Sequence, residues 1–118
     1  MVIRQGDVFW VGLPIPRGSE PGYRRPVVVV QNNLLNSGPI ATVVVCAVTT
    51  SRRRALAPGN VSLAKGEANL PKPSIVNVTQ VLTVDKAEMT EKIGTLSAAR
   101  VGQVLDGLRL VTEPMEPE

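Results

Sequence analysis

Four consecutive valines, Val27-Val28-Val29-Val30, stand directly behind Pro26 and two arginines. Branching at Cβ restricts side-chain rotation and favours a pleated, extended chain over a helix. Pro26 has no backbone N–H and pushes the residue before it towards extended geometry, so a strand over 27–31 is expected to begin here. A short unbroken apolar run of this kind suits a strand covered on both faces. The run over 40–48, rich in valine, is the most strand-like in the chain. Aromatic residues make up only 3% of the 118 residues, so the core must be assembled from Val, Leu, Ile and Ala. That composition points to sheet.

The remaining elements follow in chain order. Residues 3–13 read as a first strand, kinked early by Gly6-Asp7 and ended by Pro14 and Pro16. Residues 17–24 form a polar, glycine-bearing loop. Asn32-Asn33 and Asn36-Ser37-Gly38-Pro39 are turn chemistry. A second polar loop covers 51–60, a short strand 61–63, a long turn 65–73, and an alternating strand 74–83. Asp85 and Glu88 have the spacing of a capping box, which predicts a short helix stopping at Gly94. Ser97 starts a last helix, along which Val101, Val104, Leu105, Leu108 and Val111 form one apolar stripe, and Pro114 ends it. No repeat or linker divides the chain. The expectation is one domain over 1–112 with a disordered acidic tail over 113–118. Short strands followed by a terminal helix predict a mainly-β fold, a small and strongly bent sheet or partial barrel closed by helices.

The net charge is +3, but the tail contributes three glutamates, and without them the body carries +6. A small domain this basic suits an anionic partner. Its cations are not laid along an amphipathic helix, which argues against a membrane surface. There is no leader-like apolar segment and no run long enough to span a bilayer, so a cytoplasmic protein is expected. One cysteine excludes an internal disulfide. Together with the absence of histidine and of any paired carboxylate pattern, it leaves no expected cofactor or metal site. Cys46, inside an apolar strand, reads as a small buried hydrophobe. Trp10 reads as core or subunit interface.

What chemistry remains is carried by arginine and hydroxyl groups. Arg25 lies where a loop meets a rigid strand, and its planar guanidinium can grip two phosphate oxygens at once. Thr49 lies where the strongest strand runs out, and its hydroxyl can donate to a phosphate oxygen. Thr50 is the rival, because neighbours on a strand point to opposite faces. Arg52-Arg53-Arg54 follows directly and suits an RNA backbone.

The order of these motifs carries a resemblance. Gly6-Asp7-Val8-Phe9-Trp10 comes first, then Gly18-Ser19-Glu20, three residues, and Arg24-Arg25-Pro26 running into the valines and Gln31-Asn32. Ala47-Val48-Thr49-Thr50 follows. Over residues 4–110 this is similar to the MazF/PemK family of toxin endoribonucleases. The resemblance implies the small SH3-like partial barrel that these toxins share with CcdB-like toxins. It also implies sequence-specific, metal-independent cleavage of single-stranded RNA through the 2′-hydroxyl, leaving a 2′,3′-cyclic phosphate and a 5′-hydroxyl. The implied partners are a second copy of the chain, as a homodimer, and a MazE-like antitoxin whose acidic, disordered segment lies across the basic surface.

By the same resemblance Arg25 and Thr49 match the two catalytic positions, Ser19 and Glu20 match active-site loop positions, and Gln80 lines the site. Arg24, with Arg52, Arg53 and Arg54, is assigned to RNA binding. A guanidinium stays protonated near neutral pH, so Arg25 takes the charge-stabilising role and Glu20 is the candidate base. The proline- and glutamate-rich tail, the doubled arginine at 24 and the arginine-rich loop after Thr49 depart from the family pattern and bear on the cleavage sequence. Two rival readings remain. A CcdB-like gyrase poison would use the fold for binding alone and would not need Gly18-Ser19-Glu20, Arg25 and Thr49 together. A non-catalytic nucleic-acid-binding barrel would stack bases on surface aromatics, and one Trp, one Tyr and one Phe supply few.

Overall fold

The computed structural model of the protein describes residues 2–13 and 23–115. Six strands form one antiparallel sheet: β1 (Asp7–Leu13), β2 (Tyr23–Val29), β3 (Thr42–Thr49), β4 (Val61–Leu63), β5 (Ser74–Asp85) and β6 (Glu91–Thr95). Their order across the sheet is β4-β5-β3-β2-β1-β6. A single-turn helix, α1 (Asn33–Asn36), joins β2 to β3, and α2 (Ala98–Thr112) closes the chain. The mainly-β fold with a terminal helix is the one expected.

Alternation along the strands sends side chains to two cores. Val8, Val28, Cys46, Val48 and Val76 pack on one face together with Val104 of α2. Phe9, Val11, Val27, Val29, Val43 and Val45 pack on the other, closed by Met89 and Ile3. The valine run of β2 is therefore unbroken because each neighbour is buried on a different side.

A bulge in β5 curls the sheet. Cys46 pairs with Val81 while the next residue, Ala47, pairs with Asn77, so three extra residues stand on β5. The backbone N–H of Val78, within that bulge, donates to Asn60 Oδ1 at 2.9 Å. Asn60 Nδ2 in turn donates to the carbonyl of Arg54 at 2.9 Å, tying the arginine-rich segment to the sheet.

Beyond shifts of one or two residues and the single-turn α1, three differences from the sequence reading matter here. β1 begins at Asp7 rather than residue 3, because the chain turns at Gly6, whose φ of +94° is glycine territory. Asp7 is buried at this corner, where it accepts from the Arg4 N–H and the Thr95 hydroxyl and pairs with Lys92. β2 begins at Tyr23, so Arg24, Arg25 and Pro26 belong to the strand. Among the described residues β2 pairs over that stretch with β1 alone, since pairing with β3 starts at Val27. A proline on an edge of this kind forfeits little.

The third difference is the predicted short helix ending at Gly94. Only a 3-10 turn over Lys86–Glu88 forms, Asp85 makes no side-chain cap, and residues 91–95 become β6. The Lys86 N–H is taken by the carbonyl of Ala41, and the segment beyond it finds a partner in β1. Gly94 is there for close approach: a Cβ on it would stand 2.4 Å from the carbonyl oxygen of Ala68, in the 3-10 turn Glu67–Asn69.

Ser97 caps α2 as expected, its side chain accepting from the Arg100 N–H at 3.2 Å. Val104 and Gly107 are the buried residues of the helix, Val101 and Leu108 pack half-buried, and Val111 stays exposed. Gly107 meets the 57–60 turn so closely that a Cβ would lie 2.1 Å from the Gly59 carbonyl oxygen. Overpacking against backbone cannot be relieved by a rotamer change. Gly107→Ala is expected to destabilise the fold by about 2 kcal/mol, read as a lower urea midpoint with unchanged slope. Gly102→Ala, where a Cβ meets nothing, should stabilise slightly through helix propensity. Equal behaviour of the two variants would contradict this packing.

Candidate active site

β2 and β3 are paired through Val27 and Ala47 and then part. Continuing their register by two residues brings Arg25 level with Thr49. The ladder itself ends at Val27 and Ala47, and beyond it the two strands open. A cavity of about 240 Å³ opens there, with both residues in its lining and Pro26 and Val48 at its base. Its far wall is Leu70, Pro71 and Lys72, delivered by the turn that Gly94 holds close.

Thr49 is half-buried and Thr50 exposed, and both border the cavity. The Thr49 Oγ1 accepts the Ser51 backbone N–H at 3.1 Å. That bond uses an oxygen lone pair and leaves the hydroxyl proton free to be donated. With Arg25 opposite and Lys72 on the rim, the opening concentrates donors and positive charge suited to a phosphate group.

Arg24 is differently placed. Its guanidinium lies over the ring of Trp10, 5.3 Å from the centroid. It also forms a fork with the carboxylate of Glu91, Nη1 to Oε1 at 2.8 Å and Nη2 to Oε2 alongside. Trp10 sits directly between Pro26 of β2 and Glu91 of β6 in the ladder, so Arg24 reaches across a whole strand. These hydrogen bonds hold the Glu91 carboxyl below the usual carboxylate range.

The other sequence candidates are spread more widely. Arg52, Arg53 and Arg54 lie in the 3-10 helix Arg52–Leu56 immediately beyond Thr49, all exposed. Gln80 lies on the β5 bulge, half-buried, and is not part of the cavity lining. Ser19 and Glu20 lie outside the described residues. Cys46 is fully buried, and burial pushes its thiol up to about 12, so it is chemically silent. Among the described residues no three His, Cys, Asp or Glu side chains gather in one place. Trp10 and Lys72 are cavity residues that sequence reasoning missed. For Lys72 a signal existed in Pro71-Lys72-Pro73, a stiffened backbone around a single cation.

The exposed arginines give a direct test. Replacing Arg52, Arg53 and Arg54 together by Ala is expected to weaken RNA binding and flatten its salt dependence, by a slope of about 0.7 for each phosphate that is no longer neutralised on a single strand. An unchanged slope would mark the segment as solvated surface only.

Comparison with known proteins adds three findings. A family model of PemK-like, MazF-like toxins of type II toxin-antitoxin systems matches residues 4–112. Endoribonuclease MazF6 of Mycobacterium tuberculosis is 38% identical over 113 residues, spanning 96% of this chain and 99% of the relative. Endoribonuclease MazF of Staphylococcus epidermidis is 36% identical over 107 residues, spanning 91% and 88%. Among solved structures, a mycobacterial endoribonuclease in complex with its cognate antitoxin superposes with a TM-score of 0.77 at 23% identity, covering 97% of this chain and 99% of that one. MazF of Deinococcus radiodurans superposes at 0.76 and 23% identity, covering 94% and 96%. The curled half-barrel and its terminal helix are thus a fold that these toxins share.

Proposed function

The chain belongs to the PemK-like, MazF-like toxin family of type II toxin-antitoxin systems, and on that premise we propose that it is an endoribonuclease toxin neutralised by a cognate antitoxin. The CcdB-like reading is not favoured. We take the toxin domain to cover 1–112, to act as a homodimer, and to work in the cytoplasm. No helix among the described residues is long and apolar enough to cross a membrane. The substrate is single-stranded RNA, cut at a preferred sequence and without a metal ion.

In the proposed reaction the ribose 2′-oxygen attacks the adjacent phosphorus and the bond to the 5′-oxygen breaks. The 2′-hydroxyl proton passes to a base, for which Glu20 is the candidate, and the departing 5′-oxygen gains a proton. Arg25 stabilises charge on the five-coordinate phosphorus through two parallel hydrogen bonds, and the Thr49 hydroxyl donates to a non-bridging oxygen. Ser19 supplies a further donor, and Arg52, Arg53, Arg54 and Gln80 contact the strand beyond the cut. The observation that carries this reading is that Arg25 and Thr49, from two different strands, line one cavity. An antitoxin with an acidic segment suits the same cationic opening, as it would a body of charge +6.

The test is cleavage of mixed single-stranded RNA by the purified protein. Fragments should carry 5′-hydroxyl ends that a polynucleotide kinase labels without prior phosphatase treatment, and cyclic phosphates at their 3′ ends. Intact RNA together with gyrase-dependent DNA breakage would install the CcdB-like alternative instead.

A further inference from the structure

The two adjacent arginines at the cavity are not equivalent. Successive strand residues face opposite ways, and Arg24 shares its face with Trp10 and Pro26. Its guanidinium presents in-plane N–H donors and two flat faces. One N–H of Nη1 and one of Nη2 are engaged by the two oxygens of Glu91. The Arg24 Cζ lies over the Trp10 ring, 5.3 Å from the centroid. The side chains of Arg24 and Glu91 are each 54% exposed, so the pair lies open to a ligand. Both Arg24 and Trp10 line the cavity that holds Arg25 and Thr49.

We propose that the Trp10–Arg24–Glu91 triple is a base-stacking platform: Glu91 occupies the Nη1/Nη2 fork of Arg24 and holds the guanidinium beside Trp10, so that an unstacked nucleobase next to the scissile phosphate lies on it. This rests on the functional reading above and divides the labour within it. Arg25 handles phosphate, and Arg24 handles a base. Guanidinium planes accept bases as aromatic rings do, and the indole beneath extends the stacked surface. The pairing also explains how a chain with 3% aromatic residues can present a stacking surface at all.

The experiment measures binding of two probes across a salt series. One is a mixed-sequence 2′-O-methyl RNA, which cannot be cut through its 2′-position. The other is an abasic strand of the same length, which keeps the phosphates and lacks the bases. Arg24→Ala should bind the base-bearing strand about ten-fold more weakly with its salt slope unchanged, and bind the abasic strand as the wild type does. Arg24→Lys, which keeps the charge and loses the plane, should behave as Arg24→Ala. Glu91→Ala releases the fork and should steepen the salt slope by up to about 0.7, one more phosphate neutralised, and this change should vanish in the Arg24→Ala/Glu91→Ala double variant.

A weaker affinity of Arg24→Ala for both strands, with a flatter slope, would overturn the platform and return Arg24 to the phosphate backbone. So would full rescue by lysine. Wild-type binding to the base-bearing strand and cleavage of unmodified RNA test the functional reading itself. If both hold while the Arg24 results go the other way, only the platform falls.

Discussion

An RNA carrying one deoxynucleotide immediately 5′ of the cut will bind and will not be cleaved. In the proposed reaction the 2′-oxygen is the nucleophile, and replacing that hydroxyl by hydrogen removes the attacking atom while leaving every phosphate in place. Cleavage of the substituted strand is expected to fall to background, with affinity close to that of the all-ribose strand. Because the mechanism asks only for a base, an acid and cationic donors, EDTA should leave the rate on normal RNA unchanged. The chain's lack of histidine and its single cysteine make the same point from the ligand side. Efficient cutting at the deoxy position, or loss of activity with chelator, would refute the mechanism and demand a hydrolytic or metal-assisted one.

The second large effect is expected at Arg25. Losing a preorganised donor at the oxygens where charge develops costs about two to three powers of ten in rate, and Arg25→Ala should fall at least in that range. Arg25→Lys should recover little of it, since an ammonium cannot make two parallel bonds to one phosphate. Arg25 is exposed at the edge of the sheet, so the melting temperature should hardly move. Thr49→Ala should be milder because it removes one neutral donor, and it also frees the Ser51 N–H that now rests on the hydroxyl. A variant at position 25 that melts far below the wild type would recast the arginine as a structural residue.

Much of the fold is legible in the sequence because it follows from one-dimensional signals. Branched apolar runs locate β2 and β3, and the serine cap with its apolar stripe locates α2. What escapes depends on interactions between distant segments. The spacing of Asp85 and Glu88 is a sound local helix signal, yet β1 offers 91–95 a strand partner that no local window contains. Gly94 reads as a helix stop and is instead the place where β6 meets Ala68, which only the folded chain brings near. Pro26 reads as the residue before its strand, whereas β2 starts at Tyr23 and, among the described residues, pairs over 23–26 with β1 alone.

The site divides in the same way. Arg25 and Thr49 are reachable from motif order, and both line the one cavity. Trp10 reads locally as core and Lys72 has only its flanking prolines as a signal, and the folded chain brings both to the cavity. The different fate of Arg24 cannot be read from a doubled arginine, since it depends on Glu91, which stands 67 residues away in sequence.

The unbroken valine run of β2 also bears on how such a protein changes over generations. Val27, Val28, Val29 and Val30 are each buried, alternately against one core and the other. A strand with no neutral side offers inheritance almost nowhere to drift, because any change of volume is felt on one face or the other. Freedom to change is left to exposed segments that frame the opening, such as the arginine-rich stretch after Thr49. Those are the parts that would touch a nucleic acid.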